Sequence, residues 1–203
     1  DHILDIFDGS KPSYIKNINI RRIPQFLNIQ LEARHAKYPS FRHNDMKANN
    51  VLIHKIGKNK VSKYNKYQYK INGQKYIVPN IGYQIKLWDF DFATIPGLID
   101  NSKVEAEWTT KININPKKNR YYDMHYFFNT LTRKGFFPEF WKSKSVPKQV
   151  KDFVRRIIPE KYTEGENIAE RGRILINDEY TYADKILKED EFFNKLRPDN
   201  EKI

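Results

Sequence analysis

The chain has no cysteine in 203 residues, which excludes a disulfide framework and a thiolate metal site and makes a reducing compartment its natural setting. Long apolar runs are missing too. No stretch approaches the roughly 18 consecutive apolar residues of a membrane helix, and the N-terminal residues lack the basic, apolar and small-residue order of a secretory signal. A soluble protein without a membrane span is expected. A third absence is local: no Asp or Glu occurs between Ala48 and Trp88. The formal net charge of +12 is therefore regional, and the C-terminal stretch is net acidic.

A content of 39% hydrophobic and 14% aromatic residues is enough to bury one sizeable core, so a single domain over 1–203 is expected. The basic segment could attract nucleic acid, an anionic membrane or an acidic substrate, although a solvated lysine-rich face is the simpler reading.

Apolar positions Ile23, Phe26, Leu27, Ile29, Leu31 and Ala33 form an imperfect helical stripe over 23–36, with Pro24 acceptable in the first turn and Pro39 marking the end. A polar loop follows and runs into Val51-Leu52-Ile53-His54, an apolar run of strand type. Next, Tyr67 to Ile71 and Lys75 to Val78 flank Asn72-Gly73, a strong hairpin-turn signal. The alternation in Tyr83-Gln84-Ile85-Lys86-Leu87-Trp88 predicts a strand that delivers Asp89 at its end. Farther on, helices are expected over 121–131, where aromatic residues occupy nearly every face, over 146–158, closed by Pro159, and over 180–196. The fold class expected is α+β, mainly α.

Two polar clusters stand out at strand termini. The first is His43-Asn44-Asp45-Met46-Lys47-Ala48-Asn49-Asn50, just before the strand at Val51; the second is Asp89-Phe90-Asp91. Phosphoryl transfer asks for a residue that orients the attacking hydroxyl, positive charge on the phosphates, and ligands for magnesium. Carboxylate, lysine and carboxamide side chains in a tight loop framed by helix and strand can supply those parts.

The pattern H-x-D-x-K-x-x-N resembles the catalytic loop of protein kinases, with Asn44 where arginine is usual, and Asp89-Phe90-Asp91 resembles the D-F-G element with aspartate in place of glycine. The resemblance implies that Asp45 is the catalytic base, that Lys47 steadies the transferred phosphate, and that Asn50 and Asp89 hold magnesium bound to ATP. His43 is then a brace for the loop. Tyr122-Asp123-Met124-His125 resembles the buried helix whose first aspartate holds the catalytic-loop backbone. The C-terminal helices, about 120–196, resemble those of a kinase C-lobe. The hairpin, at about 55–84, would be an insertion between the catalytic loop (43–50) and the D-F-G-like element (89–91). With Phe41-Arg42-His43-Asn44-Asp45, these features look most like the divergent serine/threonine kinases of large DNA viruses, which implies a protein substrate and a cytoplasmic or virion-associated location.

Nothing in the sequence resembles a glycine-rich phosphate loop, a V-A-I-K lysine or an A-P-E element. About twenty residues precede the first helix, too few for an N-lobe. The expected architecture is thus a kinase C-lobe with a small β-ribbon and an inserted hairpin, the N-lobe coming from further sequence or another chain. Two alternatives stay open for the function. A pseudokinase scaffold would keep the fold as a binding surface, and a small-molecule kinase of the choline or aminoglycoside type suits His43, Asp45 and Asp91 but not Lys47. Nucleic acid is a further possible partner, because Tyr64, Tyr67, Tyr69 and Tyr76 interleave with lysines on the hairpin; cross-strand tyrosine pairs lying against the parent domain are the competing explanation. His2, His35, His54 and His125 lack metal-ligand spacing and read as packing or surface residues.

Overall fold

A computed structural model describes residues 21–56, 66–80 and 82–198 of the chain. Its N-terminal helix α1 (Arg22–His35) explains why the apolar stripe in the sequence was imperfect. Polar Gln25, Asn28 and Glu32 are buried along with Ile23, Phe26, Leu27, Ile29 and Leu31. The two amide nitrogens are met inside, Gln25 Nε2 donating to the Phe192 carbonyl at 2.6 Å and Asn28 Nδ2 to the Pro24 carbonyl at 2.7 Å, while Asn28 Oδ1 is buried without a partner. The helix stops at His35, four residues before Pro39, where the chain turns through the bond from Tyr38 N to the Arg34 carbonyl.

Strand β1 (Val51–Lys55) pairs antiparallel with the last strand of the sequence, Tyr83–Leu87, in the register Val51↔Leu87 to Lys55↔Tyr83. Between them, β2 (Lys66–Ile71) and β3 (Gln74–Pro79) form a separate two-stranded sheet, so Tyr83–Leu87 is β4. The β2–β3 turn is Asn72-Gly73, with φ of 47° and 80°. Positive φ at both central positions is the two-residue turn whose twist suits a hairpin, and glycine adopts it without strain.

This inserted hairpin lies against the domain. Tyr76, Ile71 and Val78 are buried in the main core, Tyr69 packs against it, and Tyr69 pairs across the strands with Tyr76. Lys66, Lys70 and Lys75 point outward and are exposed. Of the two explanations for the interleaved tyrosines, packing against the parent domain accounts for Tyr69 and Tyr76; Tyr64, Lys60 and Lys63 lie outside the described residues. The tip is tied down where Asn72 Nδ2 donates to Glu32 at 2.9 Å and to Asp184 at 3.0 Å.

The rest is helical with long irregular connections. Helix α2 (Tyr122–Leu131) is buried at all ten positions, as its all-round aromatic character requires. Helix α3 (Lys148–Ile157) begins after Pro147, and buries Val150, Phe153, Val154 and Ile157. Phe153 stacks on Phe192 with centroids 4.5 Å apart and meets Phe128 edge-on at 5.8 Å. Removing such a ring typically costs about 3–5 kcal/mol.

The last expected helix, over 180–196, is two elements: α4 (Ala183–Glu189) and a 3₁₀ segment, Glu191–Leu196. Asp190 separates them because it is extended (φ −70°, ψ 133°). Its carboxylate accepts from Phe192 N at 2.8 Å, capping the new turn, and receives the Arg156 guanidinium at 2.8 and 2.9 Å. Local capping thus wins over continued α-helix. No helix among the described residues is long and apolar enough to cross a membrane.

Candidate active site

The polar loop before β1 is held from below and from the side. Beneath it, the Asp123 carboxylate in the first turn of α2 accepts from His43 N at 2.7 Å and from Asn44 N at 2.9 Å. One buried anion thereby satisfies two consecutive buried amides, with the added strength of charge-assisted bonds. Alongside, Arg42 and Thr94 exchange backbone hydrogen bonds of 3.0 and 2.9 Å. The loop turns at Asn44, whose φ is 64°, a left-handed conformation that asparagine tolerates better than most residues. Asn44 Nδ2 donates to the Phe92 carbonyl at 3.0 Å and to the Asn115 carbonyl at 3.3 Å. Asparagine in the place of the usual arginine therefore links the loop to the segment that follows Asp89.

Asp45, only 5% exposed, sits at the centre of three cationic or amide donors. Lys47 Nζ is 2.8 Å from its Oδ2, and Asn50 Nδ2 donates to the same oxygen at 3.0 Å and to the Asp45 carbonyl at 2.8 Å. Three of the four expected site residues are thus joined within one loop, which the 3₁₀ turn Ala48–Asn50 feeds into β1. The other oxygen, Oδ1, pairs with the guanidinium of Arg173. A cavity of about 300 Å³ opens beside Asp45 and Lys47, lined by apolar Phe92, Trp108, Ile112 and Ile114 and by charged Glu170, Arg171 and Arg173.

Asp89 comes from the neighbouring strand end. In the β1–β4 register the residues beyond Val51↔Leu87 are Asn50 and Trp88, and Trp88 N donates to the Asn50 carbonyl at 2.9 Å. His43 adds a second tie. Its Nε2 donates to the Trp88 carbonyl at 2.9 Å, and its ring lies 4.9 Å from that of Phe90. A carbonyl only accepts, so the Nε2 proton of His43 is engaged in bracing. Asp89 has φ of 60°, so the strained backbone of this element falls on the aspartate and not on Asp91. Asp91 accordingly needs no glycine; its carboxylate pairs with Lys103, and its carbonyl accepts from Asn101 Nδ2 at 2.9 Å.

The donor set at the strand ends suits a hard cation. Asp89 offers an exposed carboxylate, and because Asn50 spends its amide protons on Asp45, its Oδ1 remains an acceptor oxygen. Magnesium is commonly held by one or two such protein oxygens together with substrate phosphates. Among the described residues no three His, Asp or Glu side chains gather into a metal-binding group, so any cation here would rest on this mixed pair.

The model of the poxvirus serine/threonine protein kinase family matches residues 7–195. The chain belongs to that family. It is 52% identical over 164 residues to a protein of Acanthamoeba polyphaga mimivirus named as a serine/threonine-protein kinase, a match that covers 80% of this chain and 35% of that protein. Over 115 residues it is 30% identical to serine/threonine-protein kinase 2 of swinepox virus (strain Kasza), covering 57% of this chain and 22% of the relative. The chain therefore spans about a third or less of the length of these viral kinases.

In this family member two buried arginines complete the site: Arg42 lies in the quoted run Phe41-Arg42-His43-Asn44-Asp45 without a role having been assigned to it, and no motif in the sequence announced Arg173. Arg42 is fully buried; its guanidinium lies 3.9 Å from the centre of the Tyr122 ring and donates to Asn115 Oδ1, the Lys117 carbonyl and the Asn113 carbonyl at 2.6–2.9 Å. Burial lowers its pKa, with Tyr122 and Asp123 opposing that effect. Arg173 bonds to Tyr122 Oη at 3.1 Å and lies 3.9 Å over the Tyr126 ring. Burial acts to lower Arg173 as well, but Tyr122, Tyr126 and Asp45 outweigh it, so the guanidinium is held above its usual value. His125 behaves as the packing residue expected: burial depresses it to about 3, and Nδ1 meets Tyr180 Oη at 2.7 Å.

Proposed function

We propose that this chain is the catalytic and metal-binding lobe of a serine/threonine protein kinase that transfers the γ-phosphate of ATP to a protein hydroxyl. The observation that carries the reading is the double grip of Asp123 on the backbone amides of His43 and Asn44. It sets the position of Asp45 relative to α2, whose ten residues are all buried, and so gives a rigid base for a group that must align a hydroxyl. In this reading Asp45 orients the hydroxyl and accepts its proton, Lys47 contacts the phosphate, and Asn50 and Asp89 hold the cation. Magnesium, when bound, would neutralise charge on the phosphate oxygens.

The nucleotide side of such a site needs a phosphate-covering loop and a lysine from an N-lobe, to be supplied by the remainder of the full-length protein or by another chain. The lysine at position 47 favours protein hydroxyls over choline or sugars as acceptors. The test is magnesium-dependent ATP binding and phosphotransfer by the longest natural chain containing this segment, beside Asp45→Ala, Asp89→Ala and the segment alone. Transfer to casein or basic protein that both substitutions abolish is the expected result. A folded full-length chain that neither binds nucleotide nor transfers phosphate would make the fold a scaffold, and transfer to choline or a sugar alone would make it a small-molecule kinase.

A further inference from the structure

Asp45 is held by two kinds of cation. Lys47 reaches Oδ2 from the loop itself, and its side chain is 25% exposed. Arg173 reaches Oδ1 from 128 positions away in the sequence, with its side chain only 7% exposed. The same guanidinium donates to the Asn44 carbonyl and to Tyr122 Oη, and it lies over Tyr126. Four partners on two segments, the loop and α2, hold it in place, whereas the lysine has a flexible stem and an open side.

The backbone around Arg173 is equally constrained. Gly172 has φ of 86°, and a Cβ there would meet the Asn129 side chain and the Thr130 backbone nitrogen at 3.2 Å. The Gly172 carbonyl accepts from Asn129 Nδ2 at 3.0 Å, the Arg171 carbonyl accepts from Thr130 Oγ1 at 2.8 Å, and Ile168 bridges to Ile174. The strand-like turn at 168–174 is thus anchored on α2, the helix that also carries Asp123.

We infer that Arg173 is a positioning residue for the phosphotransfer proposed above, holding Asp45 by Oδ1 so that Oδ2 alone is released to the acceptor hydroxyl. The division follows from mobility. Lys47 can swing from Oδ2 to an incoming phosphate, leaving that oxygen with only the neutral Asn50 amide, and Asp45 and Lys47 both line the cavity of about 300 Å³ where an acceptor would enter. Arg173 stays, keeps the carboxylate in one orientation and leaves the buried anion with a counter-charge after the lysine departs. Balance is simple in this step: the hydroxyl proton passes to Asp45 Oδ2 as the oxygen bonds to phosphorus and the bond to ADP breaks. The inference rests on the kinase reading and fails with it.

The experiment uses the longest natural chain, with Arg173→Met and Arg173→Lys compared to wild type for kcat, KM for ATP and nucleotide-binding stoichiometry. A loss of alignment near the reacting atoms costs up to about a hundredfold. The expected result for Arg173→Met is a kcat lower by about that factor, with KM for ATP and the stoichiometry unchanged. Lysine keeps one charge but cannot span both Asp45 and the Asn44 carbonyl, so Arg173→Lys should fall between, roughly tenfold down. Should the methionine variant not fold, the lysine variant decides alone. A wild-type kcat in either folded variant overturns the inference, and so does a loss of binding stoichiometry that matches the loss of rate, which would make Arg173 merely structural. An inactive wild type would overturn the kinase reading instead.

Discussion

The loop around Asp45 and the segment from Trp88 to Trp108 lie side by side, yet they are finished to very different degrees. In the loop, His43, Asn44, Asp45 and Asn50 are all buried; Asp123 takes up the amides of His43 and Asn44, and Arg173 and Lys47 take up the Asp45 carboxylate, while His43 Nδ1 and Asn44 Oδ1 stay unpartnered. Across the second segment, Trp88, Phe90, Leu98, Ile99 and Trp108 are each about half exposed or more, from 48% to 63%. The two segments nevertheless meet at one cavity, where Phe92 and Trp108 lie with Asp45 and Lys47. The side facing Asp89 keeps large apolar groups in solvent, which folded domains avoid unless a surface is used. The comparison teaches that one site can join a loop fixed by buried charge and hydrogen bonds to a neighbour that leaves its apolar groups in solvent.

Breaking the finished side should have the largest effects. Asp45→Ala in the longest natural chain removes the group proposed to orient the hydroxyl, and phosphotransfer should fall by at least about a hundredfold, the low end for general-base catalysis; a radiolabelled transfer assay reads it directly. Asp123→Ala acts through structure. It leaves the amides of His43 and Asn44 buried without their acceptor, at about 1–3 kcal/mol for each, so denaturant unfolding should show a loss of about 2–6 kcal/mol together with lost activity.

A third substitution addresses the hairpin that docks on α1. Burial first, and Asp184 second, push the Glu32 carboxyl up to about 7. Its folded value exceeds the usual 4.5, so the folded state binds the proton more tightly, and this group's contribution to stability falls as pH rises from about 4.5 to about 7. Glu32→Gln removes that titration while keeping an acceptor for Asn72. The variant should melt above wild type at pH 8 and close to it at pH 5. The smallest effect belongs to the open side: Leu98→Ser, at a residue 63% exposed, should change stability by less than about 0.5 kcal/mol. A loss near that of Asp123→Ala would erase the distinction between the two regions.

What was legible in advance is what short stretches of chain settle alone. The Asn72-Gly73 turn, the alternation in β4, the aromatic run of α2 and the spacing of His43, Asp45, Lys47 and Asn50 each depend on neighbours within a few residues, where backbone sterics and side-chain period act directly. A small β-ribbon was expected through the kinase resemblance, but the β1–β4 register was not. Helix α1 was legible by position but not by face, because its buried Gln25 and Asn28 find partners only in the folded state.

By itself the sequence determined the residue types available for phosphoryl transfer, their spacing within each cluster, and most of the secondary elements that carry them. Only the tertiary structure decided which charges meet. Arg173 and Asp45 are 128 positions apart, and Asp123 and His43 are 80 apart. The grip of Asp123 was implied by the resemblance of Tyr122-Asp123-Met124-His125 to a kinase helix, whereas the Arg173 pair has no local signature; each forms because a buried charge must find its counter-charge or hydrogen-bond partners wherever the packed core brings them.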